Sequence, residues 1–343
     1  MSKRWLYWIV SALLAALLLM SLAGCFPSAN EVPEDGQLQM EPTEGPDDGM
    51  VSNMNNAPSL PDKLRLVDGV PQLKVYNVAE NKVEEMDIEQ YVEGVLAGEM
   101  RNDWPMEALK AQAILARTFV VKFVEEKTSK YPDADISTDI QEAQAYDAAA
   151  INERIKRAVE ETRGQVLVSG DQFPYTWFHA HAGGQTELAK AALEYKPAEP
   201  QYTQSVQSPD SSKAPDAVKQ WTATFTVDEV GAAADKTGVK VGKVTSIEIG
   251  EKGESGRAIT LKINGKSVSV PALRLQLDSK KLKSTLLDSV KIEDGKVTFE
   301  GKGYGHGVGM SQWGAYGMAD EGKDAEQIVM HYFRNVALVN AWQ

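Results

Sequence analysis

The sequence predicts an α+β fold in which helices and antiparallel strands are mixed without the regular alternation of a parallel βαβ sheet. Helical patterns open and close the predicted folded region, and a block of short alternating strands lies between them. The chain has 343 residues, of which 43% are hydrophobic and 25% are charged. These values are ordinary for a globular protein and allow one large domain or two of average size.

The charge balance is acidic, with a formal net charge of −13 at pH 7. Loss of residues 1–24 would remove Lys3 and Arg4 and leave a net charge of about −15. Binding to nucleic-acid phosphates requires basic patches, so this balance argues against nucleic acid as the main partner. A neutral sugar chain remains compatible with it.

The N-terminus has the pattern of a signal peptide, which we assign to residues 1–24. Lys3 and Arg4 precede a nearly uninterrupted apolar run over residues 5–23. The run ends in Leu-Ala-Gly-Cys, which resembles a bacterial lipobox, so Cys25 is the predicted lipidation site. The alternative is an uncleaved transmembrane anchor, because the run approaches the ~20 residues that span a bilayer. Both interpretations place the rest of the chain on the extracytoplasmic face of the cell membrane.

Cys25 is the only cysteine in the sequence. Disulfides within the chain and Cys-rich zinc sites are therefore excluded. Residues 26–61 carry seven acidic and no basic side chains, with few apolar residues to bury. We assign residues 25–65 to a disordered acidic linker and residues 66–343 to the folded domain.

Capping residues predict the first two helices. Asp87 is expected to start a helix that runs to about Met100, with Gln90 as its capping-box partner. Pro105 is expected to open a second helix that continues through Glu126.

The remaining pattern predicts short elements, among which a block at about 205–300 has the composition of a β-rich insertion or subdomain. Asn264-Gly265 within it predicts a type I′ hairpin turn. The predicted elements are strands at 73–78, within 164–170, at 221–227, 244–249, 258–263 and 266–270, and helices at 149–163, after Asp228 and at 324–333.

The first helix presents a carboxyl group on its apolar face. On a helical wheel Glu99 lies about 20° from Ile88, in the middle of a stripe that includes Tyr91 and Val95. Burial raises the pKa of a carboxyl group, which suits a general acid that protonates a glycosidic oxygen. The competing interpretations are a helix that frays before Glu99 and an ion pair between Glu99 and an arginine.

The second helix carries two polar side chains on opposite shoulders of its apolar stripe, Gln112 and Arg117. Arg117 is placed to reach into a cleft beside Glu99. The alternative is a surface arginine whose stem covers apolar neighbours.

Glycine occupies every odd position of residues 301–309, GKGYGHGVG. In an extended chain this spacing predicts one bare face, with Tyr304 and His306 on the other. A bare backbone face would let a hydroxyl-rich sugar lie against N–H and C=O groups. The spacing fits neither a dinucleotide-binding loop nor a P-loop. The alternative is a flexible hinge.

His179 and His181 share one face of a short strand and have the spacing of two zinc ligands. Glu187 or His306 could supply a third ligand. His331 lies in the last predicted helix and is assigned to packing.

Three segments carry a family resemblance: YVEGVLAGEM…WPMEALKAQAILARTFVV at 91–121, PYTWFHAHAGGQTE at 174–187, and GKGYGHGVGMSQWGAYGMA at 301–319. Together they resemble the stage II sporulation protein D family, which carries the SpoIID/LytB domain. They follow the family's order, and the resemblance spans about residues 70–343.

This resemblance implies a lytic transglycosylase that cleaves peptidoglycan glycan strands stripped of their stem peptides, during engulfment in sporulation. The family's catalytic glutamate corresponds to Glu99. The residues expected to bind the glycan are Gln112, Arg117, His179, Gln185, Thr186, Tyr304, His306 and Gln312.

The resemblance also implies partners. These are a cell-wall amidase of the stage II sporulation protein P type, and stage II sporulation protein M as a further candidate. No cofactor is expected. Some relatives carry a zinc site with cysteines in segments that here are EAQAYD (142–147) and HAHAGG (179–184), so no metal site is predicted. The alternative function is a non-catalytic glycan-binding protein that activates an amidase.

Overall fold

The computed structural model describes residues 58–343. The predicted signal peptide, the lipidation site Cys25 and most of the predicted linker lie outside the described residues. Within 58–343, no helix combines the length and the hydropathy that a membrane span requires.

The fold is α+β, as the sequence predicts, and it begins with a small sheet. β1 (Leu66–Val67), β2 (Val70–Asn77) and β3 (Lys82–Asp87) are antiparallel neighbours. The sequence predicted part of β2 but missed β3, because β3 is charged and largely solvent-facing along its length.

Two helices follow directly from this sheet. α1 (Ile88–Glu99) starts after Asp87, which forms the predicted capping box with Gln90. α2 (Met106–Glu126) follows Pro105, as predicted. Their apolar faces are fully buried against each other. β4 (Ile136–Ser137) then pairs in parallel with β2.

The middle of the chain consists of short elements. α3 (Glu153–Glu161) begins later than the predicted helix at 149–163, because the Asn152 side chain accepts from the first free N–H groups of this helix. Gly164 takes a φ of +70° before the next strand. The elements that follow are β5 (Gln165–Val168), β6 (Phe178–His179), α4 (Ala189–Leu193) and α5 (Asp216–Lys219).

A β-rich region comes next and encloses its own hydrophobic core. Its elements are β7 (Trp221–Thr226), α6 (Val227–Lys236), β8 (Ile247–Ile249), β9 (Thr260–Ile263), β10 (Lys266–Ser269), α7 (Val270–Gln276), β11 (Leu287–Glu293) and β12 (Lys296–Gly301). β11, β12 and β7 form one antiparallel sheet, and β10, β9 and β8 form another. The two ends of the region meet, because Trp221 pairs with Gly301.

Hairpin turns fix the registers of these sheets. Asn264-Gly265 has φ values of +50° and +77°, as a type I′ turn requires. Asp294-Gly295 repeats this conformation between β11 and β12, two strands that the sequence analysis missed. The helix predicted after Asp228 begins one residue before it, because Thr226 is its cap.

The chain closes with β13 (Met310–Ser311), α8 (Gln312–Asp320), α9 (Ala325–Tyr332) and β14 (Ala337–Asn340). β13 pairs in parallel with β6, and β14 pairs antiparallel with β5. α9 is the predicted last helix, and Asp324 caps it.

The glycine-alternating segment is not an extended strand with a bare face, so that prediction was wrong. Four of its glycines have φ between +68° and +106°: Gly303, Gly305, Gly307 and Gly309. A β-carbon on Gly303 would lie 2.8 Å from the His181 carbonyl oxygen, and one on Gly307 would overlap the Arg257 guanidinium. The glycines therefore serve left-handed backbone and tight internal packing.

Candidate active site

Glu99 is the last residue of α1 and is 5% exposed. Its neighbours on the same helix face, Tyr91, Val92 and Val95, are fully buried, so the predicted position on the apolar face is confirmed. Because the helix continues to Glu99, the alternative that it frays earlier is wrong. The Oε1 atom accepts a hydrogen bond of 2.7 Å from the Ala145 N–H.

Two glycines of α1 allow the Ala145 segment to approach this closely. A β-carbon on Gly98 would lie 2.6 Å from the Tyr146 nitrogen, and one on Gly94 would overlap the Tyr146 ring. The Asp147 N–H also donates to the Gly94 carbonyl oxygen at 2.9 Å. The spacing of Gly94 and Gly98 therefore accommodates the close approach of residues 145–147 to α1.

Gln312 connects the C-terminal motif to the end of α1. Its Nε2 atom donates to the Glu99 carbonyl oxygen at 3.1 Å and lies 3.5 Å from Gln112 Oε1. The last carbonyls of a helix have no partner within the helix, so this side chain satisfies one of them. The structure therefore brings three predicted site residues together: Glu99, Gln112 and Gln312.

Two buried amide side chains lie in the same neighbourhood with unmet hydrogen-bonding capacity. Among residues 58–343, Gln112 Nε2 and both polar side-chain atoms of Gln144 have no hydrogen-bond partner. Gln144 directly precedes Ala145, the residue that holds the Glu99 carboxyl group. Unpaired buried polar groups are rare and costly. Gln144 was not predicted from the sequence, because nothing local marks it as buried.

An aromatic cluster also adjoins this site and was missed by the sequence analysis. The Trp104 and Trp313 ring centroids lie 4.4 Å apart, and Tyr316 stands edge-on to Trp104 at 5.1 Å. Trp313 directly follows Gln312 in the chain, while Trp104 lies five residues after Glu99. The only sequence signal was the presence of two tryptophans in the family-like segments.

Arg117 does not reach a cleft beside Glu99, which corrects that prediction, and it is not a surface arginine either. It is fully buried, and its Nη2 atom lies 2.6 Å from Glu89 Oε2. Its guanidinium also donates to the Gln165 and Val159 carbonyl oxygens. Glu89 in turn accepts from the Trp342 indole N–H at 2.9 Å. This geometry ties α1, α2 and the C-terminus together.

The predicted histidines lie close to one another. His179 and His306 have ring centroids 5.6 Å apart, and both are at least 95% buried. His179 Nδ1 donates to the Val308 carbonyl oxygen, whereas His306 Nδ1 accepts from the Val308 N–H. The strand that carries His179 adjoins the Glu99 neighbourhood, since the Trp313 N–H donates to the Ala180 carbonyl oxygen.

Three other predicted glycan ligands are engaged inside the protein. Thr186 is fully buried, and its hydroxyl donates to the Gln204 carbonyl oxygen. Gln185 is half-buried and donates to the Ser205 hydroxyl. Tyr304 is 7% exposed, with the Lys283 ammonium 5.4 Å from its ring. Thr186 therefore holds the 204–206 loop in place, and the prediction that it contacts substrate is corrected.

The hypothetical zinc ligands do not form a site. Glu187, a predicted third ligand, accepts hydrogen bonds from the Ser255 N–H and hydroxyl. In the part of the chain that the structure describes, no group of three or more His, Cys, Asp or Glu side chains is arranged to hold a metal ion.

Buried histidines predict acid sensitivity. Burial lowers the pKa of His179 well below its ordinary value, and His306 lowers it further. Burial also lowers the pKa of His181, although Asp210 opposes the shift. A histidine with a lowered folded pKa binds its proton first in the unfolded state. Stability is therefore full above the unfolded pKa of about 6.5 and falls as the pH drops below it.

The free energy of unfolding is thus expected to decrease below about pH 6.5, by up to about 1.4 kcal/mol per pH unit for each such histidine. Urea denaturation between pH 7.5 and 5 measures this slope. His179→Asn retains a donor toward Val308 and should flatten the slope. An unchanged slope in this variant would contradict the assignment to His179.

Two family models match parts of the chain. A family model described as "Stage II sporulation protein" matches residues 76–168, which include α1, α2 and Ala145. A second model, described as "Domain of unknown function (DUF8618)", matches residues 187–309 and contains the β-rich region. These matches define a sporulation-protein domain joined to a second domain region.

Curated relatives cover most of the chain. Stage II sporulation protein D of Bacillus subtilis is 34% identical over 284 residues, which are 78% of this chain and 79% of that protein. An uncharacterized protein of Brachyspira hyodysenteriae is 35% identical over 266 residues, 77% of this chain and 70% of that one. The amidase enhancer of B. subtilis is 28% identical over 295 residues, 73% of this chain and 40% of the enhancer. The chain belongs to the stage II sporulation protein D family.

Proposed function

We propose that this chain is a lytic transglycosylase that cleaves peptidoglycan glycan strands lacking stem peptides, and that it acts with a cell-wall amidase in engulfment. The observation that supports the proposal is the placement of Glu99 at a helix end: the Ala145 N–H holds its buried carboxyl group, and Gln312 donates to its backbone carbonyl oxygen. The relationship to stage II sporulation protein D supports the sporulation role.

The reaction would use Glu99 twice. Its carboxyl group donates a proton to the oxygen that leaves C1 of an N-acetylmuramic acid unit, and the C1–O bond breaks. The C6 hydroxyl of the same sugar then bonds to C1 and returns its proton to the Glu99 carboxylate. A 1,6-anhydro ring results, no water is consumed, and the enzyme ends as it began. One carboxyl group can serve as acid and then base, so the second carboxylate of most glycosidases is not required.

The contacts of Glu99 suit this role. Oε1 accepts from a backbone N–H, which restricts the orientation of the carboxyl group. The buried amides of Gln112 and Gln144 add polar groups beside it. Preorganised polar groups in a water-poor site stabilise charge that develops during reaction.

The test is digestion of purified glycan strands from which an amidase has removed the stem peptides, with the products examined by mass spectrometry. The proposal predicts cleavage of stripped strands by the purified chain alone and little cleavage of strands with intact peptides. No products from stripped strands would reject it.

The competing function is non-catalytic activation of an amidase, and the similarity to a protein named amidase enhancer favours it. Assays with and without the amidase separate the two. An activator would release more peptide from intact walls when the amidase is present and would leave stripped strands uncut.

We further propose that the protein acts at the extracytoplasmic face of the membrane, held by lipid on Cys25 or by an uncleaved anchor. The signal-like residues 1–24 support this location. Mass spectrometry of the purified N-terminus distinguishes the two: lipidation predicts a chain that starts at a modified Cys25, and an anchor predicts retention of residues 1–24.

Gln312 is expected to position Glu99 instead of binding glycan. Gln312→Met keeps the length of the side chain but removes the donor to the Glu99 carbonyl oxygen. The turnover rate should fall by about 10- to 100-fold with little change in KM, because small misplacements of a catalytic group are costly. Hydrogen exchange of the Met100 N–H, which closes the last turn of α1, should also accelerate.

Gln220→Met is the matched control, since Gln220 is exposed and lies directly before β7. This variant should change neither the turnover rate nor the hydrogen exchange of the Met100 N–H. A Gln312→Met protein with normal turnover, or one that loses affinity alone, would contradict the positioning role.

A further inference from the structure

The β-rich region carries a charge opposite to that of the rest of the chain. Residues 221–302 contain fourteen Lys and Arg and eleven Asp and Glu, a formal net charge of +3. The whole chain carries −13, so the residues outside this range carry −16. The acidity of the whole chain therefore conceals a basic region.

Three exposed lysines of this region lie around the β9–β10 turn, and we call them the lysine tip: Lys240, Lys243 and Lys266. The Lys266 ammonium donates to the Lys240 carbonyl oxygen. Asn264, in the turn itself, donates from Nδ2 to the Lys243 carbonyl oxygen at 2.8 Å. These bonds hold the segment with Lys240 and Lys243 against the turn that precedes Lys266, so the cluster is built into the fold.

Acidic side chains neutralise the tip only in part. Asp235 Oδ2 lies 3.4 Å from Lys240 Nζ, and its Oδ1 accepts from the Val241 N–H. The Lys240 side chain nevertheless remains 79% exposed. Nearby, Glu248 lies 3.9 Å from a different lysine, Lys262. One carboxylate against three ammonium groups leaves a net positive surface.

We propose that the lysine tip binds an anionic, phosphodiester-linked polymer of the cell wall. Such a polymer is repelled by the acidic remainder of the chain and attracted at this one face, so it would also orient the protein. A lysine ammonium attracts a phosphate group as a point charge, so binding does not require a fixed arrangement of hydrogen bonds. The tip gives the DUF8618 region a binding role that does not depend on Glu99.

The composition of the tip favours this partner over nucleic acid and lipid. Residues 236–246 and 262–267 contain no aromatic side chain on which bases could stack. The exposed large hydrophobic residues of the described chain lie elsewhere, so the tip offers no apolar anchor for a bilayer.

The experiment measures binding of the full chain to a glycerol-phosphate polymer isolated from a Gram-positive wall, as a function of salt. The test variant is Lys240→Gln, Lys243→Gln and Lys266→Gln together. The matched control is Lys281→Gln, Lys291→Gln and Lys296→Gln, which removes the same charge. The control lysines lie toward the other end of α6, where the Val227 N–H donates to the Gly295 carbonyl oxygen.

Wild-type protein should bind the polymer with an affinity that falls as salt rises. The test variant should lose about tenfold or more in affinity and show a weaker salt dependence, and the control should stay within about twofold of wild type. Cleavage of soluble, phosphate-free glycan should be equal in all three proteins. This readout separates failure of the tip from failure of the proposed catalytic activity.

Several results would overturn the proposal. Absence of wild-type binding at physiological salt would do so, as would equal losses in both variants, because equal losses indicate a net-charge effect. Equally tight binding of wild type to duplex DNA or to vesicles of anionic phospholipid would assign the tip to another partner.

Discussion

Replacing Glu99 with glutamine is expected to reduce cleavage of stripped glycan strands by at least about 10³-fold, because the variant loses both the proton donor and the base of the reaction. The glutamine amide oxygen can still accept from the Ala145 N–H, so the local fold should persist. Binding of glycan, measured by co-sedimentation with insoluble strands, should remain within a few-fold of wild type.

Glu93→Gln provides the matched control, since Glu93 lies on the same helix and is only partly buried. Burial raises the pKa of Glu93, so the control also tests whether a half-buried carboxyl group elsewhere on α1 suffices. Glu93→Gln should cleave normally. Residual cleavage by Glu99→Gln at the wild-type rate would remove Glu99 from the mechanism.

Arg117→Met is expected to destabilise the protein by about 3–5 kcal/mol, because it leaves the Glu89 carboxylate buried without its cation. Glu89 is 5% exposed and accepts from Arg117, Gly164 and Trp342. A loss of this size is a large share of the stability of a typical domain. Urea denaturation followed by tryptophan fluorescence measures it.

A double-mutant cycle separates the contribution of the ion pair to the free energy of unfolding from the contribution of side-chain packing. Glu89→Leu with Arg117→Met should be less destabilising than the sum of the two single changes, since neither charge is then left unpaired. Burial lowers the pKa of the Arg117 guanidinium, and Glu89 opposes that shift, so the two groups depend on each other. A stable Arg117→Met protein with weak glycan binding would restore the role that the family resemblance implies.

Local signals in the sequence were sufficient for the two long helices α1 and α2 and for the position of Glu99. Asp87 and Gln90 determine where α1 begins, and periodicity then places Glu99 on the buried face. The hairpin turn at Asn264-Gly265 was also predictable from local sequence, because its backbone conformation depends on two adjacent residues. These features require no knowledge of the rest of the chain.

Long-range partners could not be predicted in this way. Arg117 and Glu89 are 28 positions apart, and Gln312 and Glu99 are 213 apart. Helix periodicity places Arg117 beside the apolar stripe but does not reveal that a carboxylate from α1 meets it there. Only the packing of α1 on α2 determines whether the side chain reaches solvent.

The prediction of an extended glycine-alternating segment failed for a different reason. Alternate glycines fit an extended strand with a bare face, and they fit equally a chain in which every second residue has positive φ. Which of the two conformations forms depends on neighbours that are distant in sequence. Gly303 packs against His181, and Gly307 packs against Arg257. Sequence spacing alone carries no information about those neighbours.

The most direct test of the central claim is digestion of stripped glycan strands in water enriched in heavy oxygen, followed by mass spectrometry of the new sugar ends. If Glu99 directs ring closure by the C6 hydroxyl, the muramic acid ends will lack one water relative to a hydrolysis product and will contain no heavy oxygen. Ends that gain a labelled hydroxyl would show that water attacks C1, and strands that stay intact would show that Glu99 performs no such chemistry.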